Sequence, residues 1–171
     1  MLDETNQETM PDEQMMEKNT QAEKYLSFSL DDQEYGIDIR NVTEIIGIQS
    51  ITEIPDTPPF VKGVINLRGK VIPVIDVRLR FDLEEQVYNE RTCVIVVHLE
   101  TLAVGLVVDT VSEVIDIPKE NIEASPEVKS GSASRYIEGL GKVGEEVKIL
   151  LNTNKLIFSE EAEQLADVIG L

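Results

Sequence analysis

The chain repeats itself. The run from Leu26-Ser27-Phe28-Ser29-Leu30 to Ile48 superposes on the run from Ile95-Val96-Val97-His98-Leu99 to Ile117 at a constant offset of 69. Gly36 falls on Gly105, Val42 on Val111, Glu44 on Glu113, Ile46 on Ile115 and Ile48 on Ile117. At an offset of 76, Phe60-Val61-Lys62-Gly63-Val64 falls on Tyr136-Ile137-Glu138-Gly139-Leu140, and Val71 to Asp76 falls on Val147 to Asn152. The difference of seven residues is an insertion in one loop of the second copy. A repeat this long constrains the chain to two similar units that bury apolar surface against each other. Two such units share a groove, and shared grooves are where partners bind.

Each unit reads as strands. Trp is absent and aromatics are 5% of the chain, so Val, Ile and Leu must fill the interior, and β-branched filling favours strands. Tyr25–Leu30 and Tyr35–Ile39 form a hairpin across the polar turn Asp31-Asp32-Gln33-Glu34. Val42, Ile45 and Ile46 stand at i, i+3 and i+4, which predicts a short helical face over 41–46, repeated as a helical or bent segment over 111–115. Ile48–Ile54 is extended, and Pro55, Pro58 and Pro59 impose a non-helical connection. Phe60–Leu67 and Val71–Val77 flank the turn Arg68-Gly69-Lys70, and Pro73 asks for an edge position or a bulge. Residues 83–91 link the copies. The second copy has strands over 92–99, 103–108, 136–143 and 147–151, with a Ser- and Gly-rich loop over 129–134. Ser159 caps a final helix whose Ala162, Leu165, Ala166 and Ile169 form a stripe that docks on the protein's own body. Short strands with frequent turns predict a mainly β fold of two small barrels, the first about 23–83 and the second about 90–152. These lie within a domain over 23–158, preceded by a disordered acidic tail over 1–22 and followed by a C-terminal helix over 159–171.

Charge and composition narrow the function. The net charge is −18, and residues 1–23 carry seven acids against one base. Such a surface repels phosphate backbones and anionic membranes. The single cysteine, Cys93, allows no disulfide within the chain, no run of 18 apolar residues exists, and the N-terminus lacks a signal-peptide pattern, so the expected location is the cytoplasm. The single histidine, His98, lies five residues from Cys93 on one strand, and that odd spacing turns the two side chains to opposite faces. No zinc-ligand spacing occurs. Gly139-Leu140-Gly141-Lys142-Val143-Gly144 matches G-x-G-x-x-G literally, but a strand follows it where a nucleotide site needs a helix. No cofactor, metal or enzymatic chemistry is expected, and a binding module remains. Arg68 is its leading candidate, a guanidinium in a tight turn of a chain short of positive charge, suited to bidentate pairing with a carboxylate. The alternative reading, a small β-barrel protein binding a ligand or nucleic acid, would need a basic aromatic groove that this composition opposes.

Three stretches carry a resemblance. Glu34-Tyr35-Gly36-Ile37-Asp38-Ile39 with Val42-Thr43-Glu44-Ile45 looks like the opening of CheW-type chemotaxis coupling proteins. Pro58-Pro59-Phe60-Val61-Lys62-Gly63-Val64-Ile65-Asn66-Leu67-Arg68-Gly69 through Asp76 resembles that family's most distinctive stretch, and Val104 to Asp109 with Val111-Ser112-Glu113-Val114 resembles its second-half motif. The resemblance covers about residues 24–165. It implies two five-stranded SH3-like β-barrels and a non-enzymatic adaptor. It further implies that the adaptor bridges the cytoplasmic tip of methyl-accepting chemoreceptors to the regulatory domain of the histidine kinase CheA, which shares the fold, in membrane-associated arrays. Val42, Glu44, Gly63 and Arg68 match positions linked to receptor coupling, and Gly105, Val111 and Val114, with Ile46, are expected at the inter-barrel groove. Glu44 and Arg68 are expected to form a surface ion pair.

Overall fold

Short apolar runs, some alternating in burial and some buried throughout, make strands the predominant element among the described residues. The computed structural model describes residues 23–124 and 135–157. The first copy supplies β1 (Glu23–Leu30), β2 (Gln33–Asp38), β3 (Val42–Gly47), β4 (Val61–Leu67), β5 (Lys70–Asp76) and the short helix α1 (Val77–Arg80). The second supplies β6 (Cys93–Leu99), β7 (Leu102–Val108), β8 (Thr110–Ile117), β9 (Ile122–Ala124), β10 (Ile137–Val143), β11 (Glu146–Leu151) and α2 (Thr153–Ile157). The expected tail over 1–22, the loop over 129–134 and the helix over 159–171 lie outside the described residues.

The strands form two sheets, ordered β8-β1-β2-β11-β10-β9 and β3-β6-β7-β5-β4. Replacing each strand by its repeat counterpart turns the first order into the second. Even the short β9 has its counterpart, the isolated bridge between Thr52 and Val64 beside β4. Each sheet therefore takes a hairpin from one copy and all of its other strands from the other copy. The expected division into a barrel over 23–83 and another over 90–152 does not describe these sheets. The reason is the length of two links. Only Asp109 separates β7 from β8, too little chain for the two-residue turn an antiparallel reversal needs, so the strand runs on into the opposite sheet. In the first copy, a 3-10 turn over Ile39–Asn41 makes the same passage from β2 to β3.

The exchanged hairpins join their sheets through parallel pairs, Leu150 with Gly36 and Val74 with Gly105. These are the same two positions in the repeat, and a glycine stands at each. A Cβ at Gly105 would lie 2.8 Å from Val94 Cγ1, and one at Gly36 would lie 3.1 Å from Leu150 Cδ2. At Gly36 that neighbour belongs to the exchanged strand β11, whereas at Gly105 it belongs to β6 of the same hairpin, and Val74 of the exchanged strand lies at 3.5 Å.

Three local expectations are corrected. Residues 42–46 and 111–115 are strand, not helix. The first hairpin closes in two residues, Asp31 and Asp32, both left-handed at φ 49° and 63°, so β2 begins at Gln33 rather than after a four-residue loop. Pro73 lies in β5, an interior strand; its missing N–H is tolerated because the parallel pairing to β7 begins only at Val74.

Apolar side chains from both copies meet in one central cluster that includes Phe28, Ile37, Ile75, Ile95, Leu106 and Leu151. Each fully buried side chain of this kind contributes about 1.5–3 kcal/mol. Two smaller clusters lie apart from it, one around Ile65, Val74 and Val94 of the five-stranded sheet and one around Tyr25, Ile117 and Leu150 of the six-stranded sheet.

Candidate partner-binding surface

β3 is an edge strand of the five-stranded sheet. It turns Val42, Glu44 and Ile46 partly inward and Thr43, Ile45 and Gly47 outward. Opposite it, β4 and β5 close in the two-residue turn Arg68-Gly69, with Leu67 paired to Lys70. Both turn residues are left-handed, at φ 51° and 86°, a geometry whose twist suits antiparallel strands. Asn66 Oδ1 accepts a hydrogen bond from the Gly69 N–H at 2.8 Å. Left-handed backbone costs an ordinary side chain roughly 1–2 kcal/mol. The counterpart of Arg68 in the second copy is Gly144, at φ 61°. Arg68 therefore stands where the backbone favours glycine.

Its guanidinium is used. Arg68 Nη2 donates to Glu44 Oε1 at 2.6 Å, tying the β4–β5 turn to β3. Exposed as it is, the pair contributes only about 0–1 kcal/mol, too little to explain a strained arginine by stability. The counterparts of Glu44 and Arg68 are Glu113 and Gly144, so the pair has no equivalent in the second copy.

The other expected residues divide. Val42 and Val111, repeat counterparts, are both half-buried against the central cluster. Ile46 packs against the cluster of the five-stranded sheet, and Gly105 is buried within that sheet. Val114 faces outward on the edge strand β8. Ile46, Gly105, Val111 and Val114 therefore do not line one groove between the barrels. Gly63 is buried at a bulge in β4 with φ 141°, and a Cβ there would lie 2.0 Å from the Thr52 carbonyl oxygen. It shapes the strand that carries Arg68 and presents no surface of its own.

Two features escaped the sequence reading. The first is a set of four exposed apolar side chains: Ile45 (43% exposed), Val71 (56%), Val114 (52%) and Val147 (49%). Ile45 and Val114 are repeat counterparts, as are Val71 and Val147, so each sheet carries one member of each related pair. The signal was an apolar residue in the outward phase of a strand. The second is Arg78. Its Nε and Nη2 donate to the two carboxylate oxygens of Asp109 at 2.6 and 2.8 Å, its Nη1 donates to the Glu84 carbonyl at 2.9 Å, and it also pairs with Asp31. One guanidinium thus ties α1 to the first hairpin turn, the β7–β8 link and the inter-copy linker. Burial pushes the Asp109 carboxyl up, but hydrogen bonds from Arg78 and from the Asp31 N–H outweigh it and hold the group below its ordinary range.

His98 is exposed and Cys93 half-buried, and among the described residues no cluster of His, Cys, Asp and Glu is arranged to hold a metal. No helix among the described residues is long and apolar enough to cross a membrane.

The family model for the CheW-like domain matches residues 24–161. The chain belongs to the CheW-like family. It is 44% identical over 142 residues to the chemotaxis protein CheW of Klebsiella aerogenes, covering 83% of this chain and 86% of that one. It is 32% identical over 142 residues to the chemotaxis protein CheW of Bacillus subtilis, covering 83% and 91%. Among solved structures, the scaffolding protein TtCheW from Thermoanaerobacter tengcongensis superposes with a TM-score of 0.75 at 37% identity, covering 82% of this chain and 95% of that one. CheW relatives are named as chemotaxis and scaffolding proteins, which places this chain with chemotaxis adaptors and not with enzymes. The mainly β fold with two sheets of five and six strands is the fold of that structural relative.

Proposed function

We propose that this chain is a cytoplasmic adaptor of chemotaxis that couples methyl-accepting chemoreceptors to the histidine kinase CheA in membrane-associated arrays. It would bind the cytoplasmic tip of the receptor and the regulatory domain of the kinase. The observation that carries this reading is Arg68. A residue held in a glycine-favouring turn, spanning to Glu44 and contributing little to stability, is best explained by what it meets outside the molecule. Family membership supplies the class of partner. Each sheet also exposes one member of each repeat-related apolar pair, so both sheets offer apolar contact residues to a partner.

The receptor-coupling surface is assigned to Val42, Glu44 and Arg68, with Gly63 beneath them setting the path of β4. Ile45, on the outward phase of β3, and Val71, just after the Arg68-Gly69 turn, are exposed apolar side chains of the same sheet. The second sheet offers Val114 and Val147, with Gly144 in place of Arg68, so the two sheets differ by this ion pair. A kinase domain of the same fold can then be distinguished from a helical receptor tip.

The test is a calorimetric titration of the intact chain with an isolated CheA regulatory domain and, separately, with a receptor cytoplasmic fragment, alongside Arg68→Glu. Binding to both partners is expected, with Arg68→Glu weakening receptor binding about tenfold or more, or 1.4 kcal/mol, at unchanged melting temperature. Binding to neither folded partner would refute the proposal.

A further inference from the structure

Arg80 lies in α1, at the end of the five-stranded sheet, and its partners come from both copies of the repeat. Its guanidinium carbon is 4.1 Å from the ring centroid of Phe60, the residue leading into β4, and 4.8 Å from that of Tyr136, the residue leading into β10. Phe60 and Tyr136 are the same repeat position. Arg80 Nε donates to the carbonyl oxygen of Leu156 at 3.1 Å, and Leu156 is the repeat counterpart of Arg80 itself. The guanidinium therefore sits where the two copies exchange equivalent positions. The side chain is 4% exposed.

The ring contacts continue beyond Tyr136. Its centroid is 5.7 Å from Phe81, Phe81 is 5.6 Å from Tyr35, and Tyr35 is 5.8 Å from Phe28. The stack runs from the entry of β4 in one sheet to β1 in the other.

Stability alone does not call for a cation here. Removing a guanidinium from water is costly, and an aliphatic side chain of similar volume often serves as well. Leu156 fills the related position in the second copy with no charge. What a planar cation adds is direction. Apolar side chains tolerate sliding, whereas a plane held between two ring faces and hydrogen-bonded to the Leu156 carbonyl defines a relative orientation.

We infer that Arg80 is a positioning residue that locks the two sheets at one mutual angle, and so fixes how the two partner surfaces are presented to each other. The second half of this inference rests on the adaptor function proposed above. The lock itself is a property of the free protein.

The experiment places spin labels at Thr43→Cys in β3 and Ser112→Cys in β8, exposed repeat counterparts on the two sheets, in a Cys93→Ala background. Inter-label distances are measured by pulsed electron resonance with Arg80 intact, with Arg80→Leu and with Arg80→Lys. One narrow distance distribution is expected with Arg80 intact, and one roughly twice as wide in both variants, on folded proteins with native circular dichroism. Arg80→Lys keeps the charge but loses the plane, so it decides the matter if Arg80→Leu does not fold. In binding assays, each partner alone should bind the variants within about twofold of wild type, while the three-component complex weakens about tenfold. An unchanged distribution in a folded variant overturns the lock. Parallel loss of binary and three-component binding overturns its role in presentation. If the wild-type chain binds neither partner, the adaptor function fails while the distance measurement still decides on the lock.

Discussion

One methyl group at Gly63 should do more harm than its small size suggests. A Cβ there would lie 2.0 Å from the carbonyl oxygen of Thr52, 2.7 Å from its carbonyl carbon and 3.0 Å from the Glu53 Cα. These are backbone atoms of the segment that exchanges two hydrogen bonds with Val64, both at 2.9 Å. Making room means pushing that segment away and losing both bonds, about 0.5–1.5 kcal/mol each. Holding alanine at φ 141° adds roughly 1–3 kcal/mol of strain. Gly63→Ala should therefore cost about 2–6 kcal/mol. The repeat provides its own control. At Gly139, the counterpart, a Cβ would lie 2.9 Å from the Glu123 carbonyl, and φ is outside the left-handed range. Gly139→Ala should cost about 1–3 kcal/mol, the ordinary range for overpacking. Urea denaturation at 25 °C measures both. Receptor binding by Gly63→Ala should fall only as far as the folded fraction falls. A Gly63→Ala protein within about 1 kcal/mol of wild type, or one no less stable than Gly139→Ala, would refute the reasoning.

Three further outcomes follow from the same geometry. Arg68→Gly should change unfolding free energy by less than about 1 kcal/mol, because relief of the left-handed turn offsets an exposed ion pair, while Gly144→Arg should cost about 1 kcal/mol; thermal melts compare the two. Gly105→Ala should destabilise by about 1–3 kcal/mol through its 2.8 Å approach to Val94, and Gly36→Ala by less, because the tip of Leu150 at 3.1 Å can move aside; denaturation midpoints decide. Asp109 has its folded pKa below the unfolded value, so its stabilising effect is complete above about pH 4 and is lost as pH falls through the lower folded value. Denaturation curves from pH 7 downward should show wild type losing stability faster than Asp109→Asn in that acid range.

The repeat was legible because Gly36 and Gly105, and Gly63 and Gly139, mark equivalent backbone positions that a side chain would block. The exchange of hairpins was not legible, because a repeat alignment is identical whether a hairpin joins its own copy or the other. The one-residue link at Asp109 that carries the chain into the opposite sheet appears only once β8 is seen to be a strand beginning at Thr110. The error over 42–46 has an instructive cause. Val42, Ile45 and Ile46 mimic a helical face only because Ile45 is an apolar residue turned outward from a strand. The misreading thus fell on a candidate contact residue. Arg78 and Arg80 look like solvated charges in Val77-Arg78-Leu79-Arg80, and nothing local tells that α1 turns both inward between the copies. At the candidate site, the pairing of Glu44 with Arg68 was anticipated from the sequence, whereas the strain at Arg68 needed backbone angles.

The measurement that bears most directly on the adaptor role is sedimentation of this chain mixed with the CheA regulatory domain and a receptor cytoplasmic fragment. A single species containing all three, which loses the receptor fragment when Arg68→Glu replaces the wild-type chain, is the predicted result. Binary complexes in which each partner displaces the other would contradict it, because one surface would then be serving both.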